Sequence, residues 1–264
     1  MKCLVCYFSA TSNTKKVVDV IMDEVKDVYS EIDVINIATY LTCQIELKAN
    51  MFYDLLILSF PVHSQRMPKE FMGFMKSQNI KCTKAILVST YGGVTIGNAL
   101  YQASNMLFKK GILTYGAICL QTRHSYSLAY KNIDTIDFFD EHTKESLSVF
   151  SQNCFVNILE QSPVKIPKKS SIKFMLPQPF LSKLTLKLPV VDINKCVRCN
   201  KCIESCPVNA ISNNLKIDKS KCIRCCACVY ACDYQARECV IKNSISKMYI
   251  GSRIQKQKTP YIIV

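Results

Sequence analysis

Between Cys196 and Cys232 the chain repeats one spacing twice. Cys196, Cys199, Cys202 and Cys206 are separated as C-x2-C-x2-C-x3-C, and Cys222, Cys225, Cys228 and Cys232 repeat the pattern 26 residues later. Three cysteines at every third residue of a tight loop can direct three thiolates at one iron–sulfur cubane. The fourth, on the helix that follows, points away from it. Zinc sites use separated C-x2-C pairs, and two triples are not that pattern. A disulfide framework belongs to oxidising compartments. The start of the chain, "MKCLVCYFSA", has one lysine and a short apolar run, without the longer apolar core of a secretory signal. Sixteen cysteines in such a chain point to bound metal and to the cytoplasm.

With 264 residues, 49% hydrophobic and 20% charged, the chain can build one good core plus a smaller unit. No apolar run approaches the ~20 residues that a membrane helix needs, so no membrane partner is expected. The formal charge of +14 is unevenly placed. Residues 1–164 carry 15 basic and 15 acidic side chains, whereas residues 165–264 carry 19 and 5. Basic segments attract nucleic acid, but no nucleic-acid motif or aromatic stacking platform accompanies this one. Compensation of bound anionic clusters, together with an acidic redox partner, is the preferred reading, and no nucleic-acid partner is expected.

Residues 1–160 alternate short apolar runs with amphipathic ones. Segments 2–9, 33–38, 54–60, 84–90 and 113–121 read as strands, several apolar on consecutive positions as in strands buried on both faces. Helical patterns lie at 13–29, weakly at 42–51, and at 68–78, 96–110 and 137–161. The alternation predicts an α/β fold: a doubly wound, five-stranded parallel sheet with helices on both faces. Residues 161–190 hold five of the nine prolines and read as a linker in which regular helix is blocked, with "LTLKL" available to dock. Residues 191–241 hold the cysteine repeat as a small α+β unit, and residues 242–264 form a basic tail.

The first strand runs into "SATSNTKK", then an amphipathic helix. Backbone N–H groups and the positive helix end make an anion site there, with Ser9, Thr11, Ser12 and Thr14 as hydroxyl donors and Asn13 beside them. Simple N-capping needs only one such residue.

This loop resembles the flavodoxin phosphate loop S/T-x-T-G-x-T, with Ser12 in place of the glycine. Two further loops agree: "SFPVHSQRMP" after the third strand and "STYGG" after the fourth. The resemblance implies FMN, its ring between Pro61, Val62, His63 and Ser64 on one side and Thr90, Tyr91, Gly92 and Gly93 on the other. Tyr91 is the stacking candidate. His63, Arg66 and Lys69, against Glu70 alone, are expected to place positive charge near the ring and favour its anionic reduced form. The cysteine repeat resembles bacterial two-cluster ferredoxins. That implies one 4Fe–4S cluster on Cys196, Cys199, Cys202 and Cys232, and a second on Cys222, Cys225, Cys228 and Cys206. Asp233 stands where that family has proline. Cys226, whose counterpart is Asn200, reads as packing or as a weak S–H donor to cluster sulfur.

Together the halves resemble the flavodoxin–ferredoxin fusion proteins of anaerobic microbes. The resemblance implies an electron carrier relaying between FMN, two clusters and an external redox protein. Two alternatives remain at this level. One is a flavin-dependent reductase, with Arg123 and His124 orienting a small substrate; the other is a redox-sensing module. Donor, acceptor and oligomeric state are not specified. Cys3, Cys6, Cys43, Cys82, Cys119 and Cys154 are expected to be core residues rather than ligands.

Overall fold

The structure, a computed structural model, describes residues 1–38, 51–130, 137–169 and 178–264. β1 (Lys2–Tyr7), β2 (Glu31–Asn36), β3 (Leu55–Pro61), β4 (Lys84–Tyr91) and β5 (Leu113–Gln121) fall within about two residues of the apolar runs that predict them. They pair in parallel in the order β2-β1-β3-β4-β5. This is the flavodoxin-like order, whose switch point between β1 and β3 opens a crevice outside the carboxyl ends of the strands. β3 and β4 are buried on both faces except at their ends, which is why their sequences show no alternation.

Helices cover both faces. α1 (Asn13–Val25) buries Val17, Val18, Ile21 and Val25 on one face, alongside Leu147, Phe150 and Cys154 of α4 (Glu141–Leu159). α2 (Lys69–Ser77) and α3 (Ala99–Phe108) bury Phe71, Phe74, Met75, Leu100, Ala103 and Leu107 on the other. Phe60, Phe71 and Phe150 are essentially inaccessible, and burial of each contributes roughly 1.5–3 kcal/mol. Asp140 caps α4 by accepting from the Thr143 N–H at 2.9 Å. All but the last residue of the expected helix 42–51, with Cys43, lies outside the described residues.

The linker stays on the first domain before it leaves. Val164 N–H donates to the Thr114 carbonyl, and Asn98 and Lys169 exchange two hydrogen bonds of 2.6 and 2.7 Å. The expectation that prolines exclude helix here is corrected by α5 (Gln178–Thr185). Pro179 falls in its first turn, where a missing N–H costs no intrahelical bond. "LTLKL" docks on the cysteine-rich unit, with Lys187 N–H donating to Val240 and Lys242 N–H to Thr185. That unit contains β6 (Val190–Val191) paired antiparallel with β7 (Arg237–Glu238), and the short helices α6 (Lys201–Glu204) and α7 (Ala227–Tyr230).

The basic segment 242–264 is ordered structure. α8 (Ser244–Ile254) is followed by β8 (Tyr261–Ile263), which pairs antiparallel with β5 and adds a sixth strand to the sheet. Lys169 Nζ lies 4.2 Å from the centre of the Tyr261 ring, and Gln121 Nε2 donates to the Lys256 carbonyl at 2.9 Å. No described helix is long and apolar enough to cross a membrane.

Two glycines make opposite predictions. A Cβ on Gly116 of β5 would lie 2.1 Å from Cys154 Sγ, whereas one on Gly73 of α2 meets nothing within 4 Å. Gly116→Ala is expected to lose about 1–3 kcal/mol by overpacking. Gly73→Ala is expected to gain about 0.5–1 kcal/mol from helix propensity. Urea unfolding of the two variants checks both signs.

Candidate functional site

The carboxyl ends of β1, β3, β4 and β5 open onto two adjoining cavities. The smaller, about 60 Å³, is lined by Thr11, Asn13 and Thr14 at the start of α1, and by Pro61, Thr90 and Thr122. Thr14 and Thr90 share a 2.9 Å hydroxyl contact at its floor. Asn13 Nδ2 donates to the Arg123 carbonyl at 2.8 Å, tying the loop to residues 122–130. Ser9 Oγ accepts from the Lys15 N–H, and neither Ser9 nor Ser12 lines either cavity. Ser12 adopts φ of 62°, which explains the glycine at this position in the resembled loop. A non-glycine residue there costs roughly 1–2 kcal/mol.

The larger cavity, about 360 Å³, is lined by Ser64 of the loop after β3, Lys69 at the start of α2, and Val94 and Thr95 of the loop after β4. Val62, His63, Tyr91 and Gly92 line both cavities. Gly93 lines neither. Its φ is +78°, and a Cβ there would press on Gln121 and the Arg253 carbonyl, so it serves the docking of α8. A third wall comes from Lys221, Cys222, Arg224 and Cys225 of the cysteine-rich unit and from Tyr249 of α8. Periodicity gives no sign of this wall, because it depends on how the two units pack.

Charge near the cavity differs from the sequence expectation. Burial pushes His63 down to about 4, and His124 likewise, with His63 adding to the effect. Both rings are therefore neutral at pH 7, and His63 supplies no positive charge; Lys69, Lys183, Lys221 and Arg224 remain as the cationic lining, against Glu70. The Tyr126 N–H donates to His124 Nδ1 at 3.0 Å, so the ring proton sits on Nε2. Burial raises Tyr91 to about 12.

The cysteines fall into two sets. Cys196, Cys199, Cys202 and Cys232 line one cavity, and Cys222, Cys225, Cys228 and Cys206 line another. Each set takes its fourth thiol from the other half of the repeat. The repeat is conformational as well as sequential. Left-handed residues occur at Arg198, Asn200 and Asn209, and again at Arg224, Cys226 and Gln235, each 26 positions on. These turns wrap the loops around their thiols. Four thiols lining each cavity, with Cys226 also on the second, supply the donor type that iron–sulfur cubanes use. Asp233 pairs with Lys201 across the repeat at 2.5 Å, and with both side chains exposed the pair is screened by solvent and adds little stability.

Cys226 is buried and its Sγ lies 3.2 Å from that of Cys239, a residue outside the repeat spacing that sequence reasoning passed over. Its S–H partner is thus Cys239. Cys3, Cys6, Cys82, Cys119 and Cys154 are buried, and burial raises their thiols, Cys82 to about 11.

A second missed residue is Tyr230 of α7. Its hydroxyl donates to the His124 carbonyl at 3.2 Å and contacts Ser127 Oγ at 3.0 Å. Arg123 stacks over its ring at 5.4 Å and donates to Ser127 Oγ. Loop 122–130 therefore joins the units, and Arg123 belongs to the joint.

The histidines make stability pH-dependent. The unfolded chain takes up these protons near pH 6.5 and the folded chain near 4, so the unfolded state binds more protons between those values. Stability is expected to fall as pH drops from about 6.5 to 4. The fall should be shallower in His124→Gln, and urea midpoints at pH 7, 5.5 and 4.5 check this; equal slopes would refute it.

Residues 189–212 and 215–238 each match the 4Fe-4S binding domain. A search of curated proteins finds no match to the chain. Among solved structures, the chain is similar to a flavodoxin from the domain Archaea, at 14% identity and TM-score 0.41, over 60% of this chain and 99% of that one. It is also similar to a flavodoxin of Streptococcus pneumonia TIGR4, at 16% identity and TM-score 0.40, again over 60% and 99%. The fold assignment rests on the strand order itself. The chain joins a domain of flavodoxin-like topology to a 4Fe–4S binding domain.

Proposed function

We propose that this protein is an electron-transfer flavo-iron–sulfur protein, relaying electrons between FMN, two 4Fe–4S clusters and an external redox partner. One observation carries the reading. Cys225 lines the cavity of its own thiol set and both cavities at the carboxyl ends of the strands. One thiol set is thereby built into the wall where a flavin would sit.

The residues present fit FMN. Thr11, Asn13 and the N-terminus of α1 offer uncharged donors for a phosphate. Tyr91 flanks the larger cavity, whose volume suits a flat ring system. Gly92 is required there, since a Cβ would lie 2.2 Å from the His124 ring. The donor chemistry of the thiol sets fits two cubanes. A flavin exchanges electrons singly or in pairs and each cluster one at a time, and the chain supplies placement and electrostatics.

The other thiol set lies on the outer side. Cys199 is exposed, and exposed Val197, Arg198 and Tyr234 line the same cavity. With the net positive charge of residues 165–264, this side suits an acidic redox protein through steering. Thiol-rich sites of this kind also favour the reducing cytoplasm of a cell living at low oxygen. A reductase acting on a small substrate is less well supported: Arg123 and His124 both line the smaller cavity, but the Arg123 guanidinium is already engaged with Tyr230 and Ser127.

Anaerobic reconstitution is expected to give about eight irons and one FMN per chain. Cys206→Ala and Cys232→Ala should each lose about four irons. In stopped flow, the clusters should reoxidise the reduced flavin. Four irons in the parent protein, or no flavin, would sink the reading, and a flavin that passes no electrons would leave a sensing module.

A further inference from the structure

The two thiol cavities correspond at most lining positions, and one of the buried differences changes charge. With the offset of 26, Cys196, Val197, Cys199, Cys202 and Ala236 of the outer cavity match Cys222, Ile223, Cys225, Cys228 and Ala210 of the inner one. At the next pair the inner cavity has Ile211, 7% exposed, and the outer has Arg237, 4% exposed. A guanidinium therefore replaces an aliphatic side chain on the outer wall.

That guanidinium is incompletely satisfied. Nη2 donates to the Leu215 carbonyl at 2.9 Å, while the buried Nε has no hydrogen-bond partner. Among the described residues no carboxylate forms an ion pair with Arg237. A buried cation without a counter-charge is strongly disfavoured, and an orphaned buried donor adds further cost. An anionic cluster in the outer cavity would supply both the charge and the acceptor. The inner cavity is arranged differently. Its buried arginine is Arg224, whose Nε is already bonded to the Leu186 carbonyl, while Arg198, the repeat counterpart of Arg224, is exposed.

We propose that Arg237 is the internal counter-ion of the outer cluster: its Nε–H donates to a cluster or thiolate sulfur, and its charge raises that cluster's reduction potential. Hydrogen bonds to sulfur and local charge are the levers that set such potentials. The outer site thereby becomes a better electron acceptor than the repeat would make it with isoleucine. Arg237 is a positioning and tuning residue, and this role rests on the two-cluster reading above.

The test is an EPR-monitored redox titration of anaerobic, iron-replete protein, with iron counted in every sample. In Arg237→Gln one of the two cluster potentials is expected to fall while the other moves less, and Arg237→Lys, which keeps the charge, should fall less than Gln. Unchanged potentials in an Arg237→Gln protein holding about eight irons would overturn the proposal and leave Arg237 as a mere support for Leu215. A second arm needs no substitution. Parent protein labelled with 15N-arginine should show a nitrogen hyperfine coupling on a reduced cluster, and its absence overturns the hydrogen bond whatever the variants do. A parent protein with only four irons would instead refute the two-cluster reading itself.

Discussion

The arrangement depends on the contact between the Cys222–Cys225 loop and the carboxyl end of the parallel sheet. Ile223 packs against the apolar cluster on the α2–α3 face, and Tyr230, one turn beyond the loop, is bonded to the His124 carbonyl. Because Cys206 sits with Cys222, Cys225 and Cys228, the first half of the repeat is held by the same contact. The outer thiol set is then positioned by the crossing of Cys232. A rigid wedge of loop against sheet thus fixes where both sets lie relative to the crevice.

Much of this was legible in the sequence. The apolar runs located β1 to β5 because strands buried on both faces need no alternation, and the doubled spacing picked out the eight thiols. Other parts lacked a local signal. β8 carries only "YII", a run too short to distinguish from a tail until β5 offers its free edge. Cys239 meets Cys226 only through tertiary packing, 13 residues away. Tyr230 looked like one aromatic among many, and its role exists only against loop 122–130. His63 was read as a charge because burial cannot be seen in a loop sequence. Proline at 179 was read as a helix breaker, although the first turn of a helix tolerates it.

The repeat also shows how duplicated halves diverge. Three of its left-handed positions are kept in both halves, even where the residue is Arg, Cys or Gln rather than glycine, while Leu215 has no left-handed counterpart. Backbone shape around the thiols is therefore held more strictly than side-chain identity. Among the many differences, Asn200 and Cys226, Pro207 and Asp233, and Ile211 and Arg237 change the chemistry beside the thiols while the matched backbone turns are kept.

β8 changes how the molecule should be regarded. Since the strand returns to β5, the cysteine-rich unit lies between two stretches held on the first domain: 164–169, bonded to Thr114 and Asn98, and Arg253 to Ile263, held at Gly93, Gln121 and β5. The entropy cost of closing a long loop between such anchors grows only slowly with its length. The sheet edge stays open until β8 arrives, after the whole cysteine-rich segment has been synthesised. A chain that stops short of Tyr261 would therefore keep β5 as an unpaired edge.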